Sequence, residues 1–148
     1  MVSEVYVSGR QMVSGDADAE TVQVLVVDDD PAVVELASEY LEHTDSRFSV
    51  RTETSAVAAL EQLRERNADV DCIVSDYKMP EMNGFEFLDA VEETCADVPF
   101  ILFTSQAREL FEQQTPDGIT EMIQKDGRTG LYAELVDRVA KVAEPEAT

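Results

Sequence analysis

The stretch Cys72-Ile73-Val74-Ser75-Asp76-Tyr77-Lys78-Met79-Pro80-Glu81-Met82-Asn83-Gly84-Phe85-Glu86-Phe87 decides the fold. Its first four residues form an apolar run of the length of a strand buried on both faces, and the run delivers one carboxylate, Asp76, at its C-terminal end. Open parallel sheets keep their active sites at that edge. Pro80 and the Asn83-Gly84 pair impose a loop, and an amphipathic segment restarts at Phe85. Asp76 therefore stands at a strand-to-loop-to-helix junction.

Outward from this stretch the pattern repeats. Gln23 to Val27 is a second doubly buried strand, and it ends on Asp28-Asp29-Asp30-Pro31. Asp30 before Pro31 predicts an N-cap with proline at the first helical position, and Val33, Leu36, Ala37, Tyr40 and Leu41 carry the helical stripe to about His43. Phe48 to Thr52 alternates, as a half-exposed edge strand does. Ser55 caps a helix striped by Val57, Ala59, Leu60 and Leu63 that runs to about Asn67. Past the central stretch, Phe85 to Thr94 reads as a helix with Phe85, Leu88 and Val91 inward. Phe100 to Phe103 is then a third apolar strand ending on Thr104-Ser105. A weaker helix spans Ala107 to about Gln114, Ile119 to Gln124 is a short strand closed by Lys125-Asp126-Gly127, and Leu131, Leu135, Val139 and Val142 space the last helix.

Residues 1–21, small and acidic, read as a flexible leader, 22–143 as one folded domain, and 144–148 as a tail or the start of a linker. Strand then helix, five times over, with right-handed crossovers, builds a doubly wound α/β three-layer sandwich around a five-stranded parallel sheet. Every strand then ends on the same edge.

Composition narrows the function classes. The chain of 148 residues has room for one domain and contains no run near the ~20 apolar residues of a membrane span. The first residues lack the basic start and apolar run of a secretory signal, which points to the cytoplasm. Two cysteines, Cys72 and Cys95, and one histidine, His43, argue for free thiols rather than a disulfide framework or a zinc site. The net charge of −21, from 32 acids against 11 bases, repels nucleic acid. Such charge also repels itself, while at ~1 M salt the screening length falls to ~3 Å. A plain soluble acidic surface and a protein of a salt-loving cytoplasm both fit. The second predicts a denaturation midpoint that rises between dilute and multimolar KCl; equal stability in both would sink it.

The common edge collects Asp28 and Asp29 from the first strand, Asp76 from the third, Thr104 from the fourth and Lys125 from the fifth. Three crowded carboxylates either raise their proton affinities or hold a cation among them, and oxygen ligands select a hard ion such as Mg2+. Thr104 adds a hydroxyl donor and Lys125 a point charge, the groups a transferring phosphoryl group needs beyond the metal. No glycine-rich phosphate loop is present, so nothing points to a nucleotide. A carboxylate that is both metal neighbour and nucleophile, opposite a lysine and a hydroxyl, reads as an aspartyl-phosphate site.

On Val26-Val27-Asp28-Asp29, Asp76-x-x-Met79-Pro80-x-x-Asn83-Gly84, Phe103-Thr104-Ser105 and Lys125, the sequence resembles the receiver domains of two-component response regulators, over about Gln23 to Ala143. The resemblance implies a flavodoxin-like (βα)5 fold with strand order 2-1-3-4-5. It implies Asp76 as phosphoacceptor, Asp29 as a direct Mg2+ ligand, Asp28 as one acting through water and Lys78 as a ligand through its backbone carbonyl. Thr104 would bind the phosphoryl group and Lys125 would pair with it. The implied donor is a phosphohistidine on a sensor histidine kinase. The implied output passes through the face of the fourth helix, fifth strand and fifth helix to a downstream protein or output domain. Such a chain is a switch that catalyses its own phosphotransfer and dephosphorylation, not an enzyme turning over an external substrate.

Two positions depart from the family's pattern. Asp126 follows Lys125 where a cis-proline is usual, and a non-proline cis bond costs ~3 kcal/mol. Met122 stands three residues before the lysine in place of the switch aromatic, which leaves a flexible thioether to repack there. Two other readings stay open. One is a haloacid-dehalogenase-like phosphatase using Asp28 and Asp30, and the other a degenerate receiver that works by binding alone.

Overall fold

The computed structural model describes residues 21–65, 70–95, 97–113 and 115–143. Apart from Thr21, the leader assigned to 1–21 lies outside the described residues, as does the tail at 144–148. Five strands alternate with five helices: β1 (Val22–Val27), α1 (Pro31–Thr44), β2 (Phe48–Glu53), α2 (Ala56–Glu65), β3 (Cys72–Ser75), α3 (Gly84–Thr94), β4 (Phe100–Thr104), α4 (Ala107–Phe111), β5 (Glu121–Gln124) and α5 (Leu131–Ala143). All strand pairs are parallel, in the order β2-β1-β3-β4-β5. The doubly wound, flavodoxin-like sandwich is therefore the architecture observed.

The three central strands bury both faces, as their continuous apolar runs require. Side chains of β1, β3 and β4 alternate between two cores. Val24, Val26, Cys72, Val74, Ile101 and Phe103 join Ala37 and Leu41 of α1 and Leu135 and Val139 of α5. Leu25, Val27, Ile73, Phe100 and Leu102 join residues of α2, α3 and α4, among them Leu60, Phe87 and Leu110. Edge strand β2 is half-exposed, and the Glu42 carboxylate accepts its Val50 N–H at 3.0 Å. Cys72 and Cys95 are buried free thiols, and burial pushes the Cys72 thiol up to about 12.

Helix starts follow the predicted caps. Asp30 accepts from the Ala32 N–H at 3.0 Å with Pro31 behind it, and Ser55 Oγ accepts from the Ala58 N–H at 3.2 Å. The predicted stripes need correction on α1 and α2. Val34 rather than Leu36 faces the core, Tyr40 is exposed, and Ala56 rather than Val57 is buried. Each helix rotates its small alanines against the sheet, where the backbone comes close, and leaves larger neighbours on the rim. Strand β5 begins two residues later than the expected Ile119. Thr120 spends its N–H on the Phe100 carbonyl and its hydroxyl on the Phe100 N–H, and regular pairing begins only at Glu121. Helix α4 closes at Phe111, three residues before the expected Gln114, which lies outside the described residues.

Candidate functional site

β1, β3, β4 and β5 deliver their terminal polar residues to one edge. The ladder sets the heights: Val27 pairs with Ser75 and Ser75 with Leu102, so Asp28 and Asp76 emerge level with each other, while Thr104, paired with Gln124, and then Lys125 stand one and two residues further along the sheet. Asp76 donates its N–H to the Val27 carbonyl at 3.0 Å, and Lys125 donates its N–H to the Thr104 carbonyl at 2.8 Å. The backbone ladder thus aims these side chains before any side-chain bond forms.

Lys125 Nζ lies 2.7 Å from Asp28 Oδ2 and 3.2 Å from Asp76 Oδ2, a cation bridging two carboxylates from different strands. It also sits 5.6 Å from the centre of the Phe103 ring, whose negative face adds to the attraction. Asp28 is 2% exposed and Thr104 1%, so both polar groups sit in the interior rather than on it. Burial raises the Asp28 carboxyl above its ordinary value, against the opposing pull of the Lys125 hydrogen bond and the Asp30 N–H. Burial also disfavours charge on Lys125. The bonds and charges of Asp28 and Asp76 outweigh it, and the ammonium titrates above its ordinary value. Lys125 is held protonated by two acids at once.

Carboxylate oxygens of Asp28, Asp29 and Asp76 all lie within 4.8 Å of one another. Among the described residues one ammonium, that of Lys125, stands against them, so the cluster keeps an excess of negative charge. All-oxygen donors in this number fit a hard divalent ion with open positions, and they do not fit a thiol- or imidazole-seeking one. Lys78 is exposed two residues beyond Asp76, and Asp30, the other acid of the phosphatase reading, is exposed and occupied as the cap of α1.

The loop after Asp76 is tightly drawn. Asp76 Oδ1 accepts from the Tyr77 N–H at 2.6 Å, Gly84 donates to the Tyr77 carbonyl at 2.7 Å, and Asn83 forms a reciprocal capping box with Glu86. Glu81 takes a left-handed φ of 77°, a strain of about 1 kcal/mol that the flanking bonds hold in place. Gly84 is required by contact rather than by its dihedrals. A Cβ there would lie 2.7 Å from the Asp76 carbonyl oxygen and 3.0 Å from Tyr77 Cα. Gly84→Ala is expected to cost about 1–3 kcal/mol of stability, read as a lower urea midpoint at unchanged slope, because backbone must move. An unchanged midpoint would show the loop to be looser than this packing.

Two contributors were not foreseen. Gln124 bridges β5 to the β4–α4 loop, donating to the Ser105 carbonyl at 2.6 Å and accepting from the Arg108 N–H at 2.9 Å. The available signal was a polar residue on β5 at the register of Thr104. Arg128 grips the loop that follows Lys125: it donates to both Asp126 oxygens, at 2.8 and 2.9 Å, to the Gln124 carbonyl at 3.3 Å and to Glu134. Arg138 continues the chain from Glu134 to Glu121. Where the family's pattern has a proline, an ion-pair network ties this loop to α5 and β5.

The geometry defines a class, a flavodoxin-like α/β protein with an acidic, lysine-bridged cluster at the C-terminal edge of its sheet. The chain belongs to the response regulator receiver domain family, whose model matches residues 24–138. It is 37% identical over 86 residues to the two-component response regulator ORR21 of rice, covering 58% of this chain and 12% of that protein. It is 33% identical over 86 residues to the response regulator SaeR of Staphylococcus aureus, covering 58% of this chain and 36% of that protein. The chain thus spans well under half the length of either relative. Among solved structures, the non-phosphorylated HemR receiver domain of Leptospira biflexa is similar at 28% identity and a TM-score of 0.66, over 84% of this chain and 95% of that one. The response regulator TrrA of Thermotoga maritima, in complex with Mg(2+)-BeF, shares the fold at 24% identity and a TM-score of 0.70, over 82% of this chain and 99% of that one.

Receiver domains are signalling switches rather than classical enzymes. They are phosphorylated by sensor histidine kinases and bind Mg2+ at an aspartate cluster, and this structure has such a cluster. Among the described residues no helix is long and apolar enough to cross a membrane.

Proposed function

We propose that this chain is a phosphorylation-activated switch that accepts a phosphoryl group on Asp76 from the phosphohistidine of a sensor histidine kinase. The observation that carries the reading is Lys125 bridging Asp28 and Asp76, with the buried Thr104 at the end of the neighbouring strand.

Asp76 has one oxygen on the Tyr77 N–H and the other turned to Lys125, so the second is the nucleophile. It attacks phosphorus as the phosphorus–nitrogen bond of the donor breaks. The electron pair leaves with the imidazole, which takes a proton, and Asp76 becomes an acyl phosphate. Lys125 follows the new negative charge from carboxylate to phosphoryl oxygen, and the Thr104 hydroxyl donates to another phosphoryl oxygen. Asp28, Asp29, Asp76 and the Lys78 carbonyl would hold Mg2+, which when bound neutralises charge that the single ammonium leaves over. Hydrolysis reverses the state, with water attacking phosphorus and Asp76 leaving as carboxylate. Output leaves through α4, β5 and α5 toward a downstream protein or output domain in the cytoplasm.

Asp30 spends its carboxylate on the cap of α1, which weighs against the phosphatase reading. The test is incubation with acetyl phosphate and Mg2+, followed by proteolysis and mapping of the phosphoryl mass. The expected adduct is on Asp76. An adduct on Asp28 favours the phosphatase, and no adduct with no Mg2+ binding favours a module that acts by binding alone.

A further inference from the structure

We propose that Gln124 is the positioning residue that couples Thr104 to α4: its side-chain amide clasps the β4–α4 loop at rest and releases it when Thr104 is drawn toward a phosphoryl group. The inference rests on the reading of Asp76 as phosphoacceptor. It supplies a route that does not use position 122.

Thr104 and Gln124 are register partners on neighbouring parallel strands, and both point to the sheet face that α4 covers. The Gln124 amide uses both its ends on the segment just after Thr104. Its nitrogen holds the Ser105 carbonyl at 2.6 Å, and its oxygen takes the Arg108 N–H at 2.9 Å. Arg108 is the second residue of α4, and its N–H is one of the orphan donors that a capping residue ordinarily satisfies. The N-cap residue itself, Gln106, makes no such side-chain bond. Helix α4 is therefore capped from the adjacent strand.

Among the described residues little else fixes α4 beyond the Thr115 hydroxyl, which donates to the Leu110 carbonyl at 3.2 Å. It has five residues, too few to be stable alone, and buries only Ala107 and Leu110, while Phe111 is 75% exposed. A groove of about 270 Å³ lies between it and β5, lined by Arg108, Phe111, Met122 and Gln124 among others, so the helix has space to shift. Thr104 Oγ1 now accepts from the Gln106 N–H at 3.3 Å. Turning that hydroxyl toward Asp76 gives up this bond and drags Ser105, whose carbonyl Gln124 holds. The loop cannot follow Thr104 with the clasp intact. Gln106 Oε1 is buried without a hydrogen-bond partner among the described residues, so the resting loop leaves one group unsatisfied that a displaced loop is free to satisfy.

The test reads hydrogen exchange at the Arg108 amide in the wild type, Gln124→Met and Gln124→Glu, with and without acetyl phosphate and Mg2+, while mass spectrometry reports Asp76 in each sample. Methionine keeps the length and loses both bonds; glutamate keeps an acceptor for Arg108 and loses the donor to Ser105. In the unphosphorylated state exchange at Arg108 is expected to rise about tenfold in Gln124→Met, the loss of one net hydrogen bond, and to stay near wild type in Gln124→Glu. Phosphorylation is expected to raise wild-type exchange to the Gln124→Met level and to leave Gln124→Met unchanged. Ile123 and Leu102 amides, deep in the sheet, serve as folding controls. Arg108 exchange unmoved by Gln124→Met, or unmoved by phosphorylation while Asp76 gains its mass, overturns the clasp alone. No mass gain at Asp76 in the wild type overturns the phosphoacceptor reading and the coupling with it.

Discussion

Asp76→Asn is expected to accept no phosphoryl group from acetyl phosphate and Mg2+ while folding as the wild type does. The amide oxygen still accepts from the Tyr77 N–H, which the Asp76 carboxylate holds at 2.6 Å, so the tight turn into the loop survives. What disappears is the anionic oxygen facing Lys125, the proposed nucleophile. On stability two charge effects oppose each other. The substitution loses the 3.2 Å attraction to Lys125 and relieves the repulsion from Asp28 and Asp29 in the same cluster. Pairs at such distances are worth about 1–4 kcal/mol each at effective dielectrics of 80 to 20, and opposite signs leave a net change within about 1 kcal/mol. Intact-mass measurement and a urea melt check both halves. Mass gain equal to the wild type would move the phosphoacceptor elsewhere. A collapsed melt would make the lost phosphorylation uninformative, and Asp76→Glu, which keeps the charge and lengthens the reach, then serves as the second variant.

The candidate site was legible because its members sit where periodicity ends. An apolar run of four or five residues has one terminus at the active edge, and the acid, hydroxyl or amine just past it needs no tertiary knowledge to be found. Asp28, Asp76, Thr104 and Lys125 all stand on that boundary, and the structure brings Asp28 and Asp76 to one ammonium. Gln124 stands inside its strand, and its partners Ser105 and Arg108 are loop and helix backbone groups that carry no sequence signature. Arg128 reads as an ordinary surface base until the turn with Gly127 at φ 76° and Gly130 at φ 85° folds it back over Asp126. Helix faces were the other weak point. On α1, Leu36 and Val34 differ by two positions and both suit an apolar stripe, and only the closeness of Ala37 to the sheet decides which points inward.

Met122 and Asp126 mark where this chain departs from its family, and the structure gives each departure a local counterpart. Met122 lines the groove under α4 instead of filling it with a ring, and two residues on Gln124 ties the strand to that helix. Asp126 takes the bidentate grip of Arg128, with Glu134 behind it. These pairs are part-exposed, and singly they contribute little to stability. Their consequence is directional: they fix the turn that presents Lys125.

Lys125→Met is expected to cost about 3–5 kcal/mol in metal-free buffer, the range for breaking a buried ion pair by removing one partner. Lys125 is the described cation that contacts Asp28, and Asp28 has nowhere to hydrate, its side chain being 3% exposed against 18% for the lysine. Without the ammonium, the carboxylates of Asp28, Asp29 and Asp76, within 4.8 Å of one another, lose the positive charge beside them and keep only neutral donors, the Asp30 N–H on Asp28 and the Tyr77 N–H on Asp76. They then either take up protons or push the loops apart. A divalent cation supplies two positive charges at the same place, so Mg2+ is expected to restore much of the lost stability in the variant and to add less to the wild type. Urea midpoints with and without Mg2+ measure the four corners, and the coupling is the difference of differences. Equal Mg2+ increments in the two proteins would mean that the lysine and the metal ion do not share the same carboxylates. An Mg2+-rescued Lys125→Met that still fails to hold phosphate on Asp76 would separate the balancing of the carboxylates from the proposed pairing with the phosphoryl group, since methionine lacks the charge that both require.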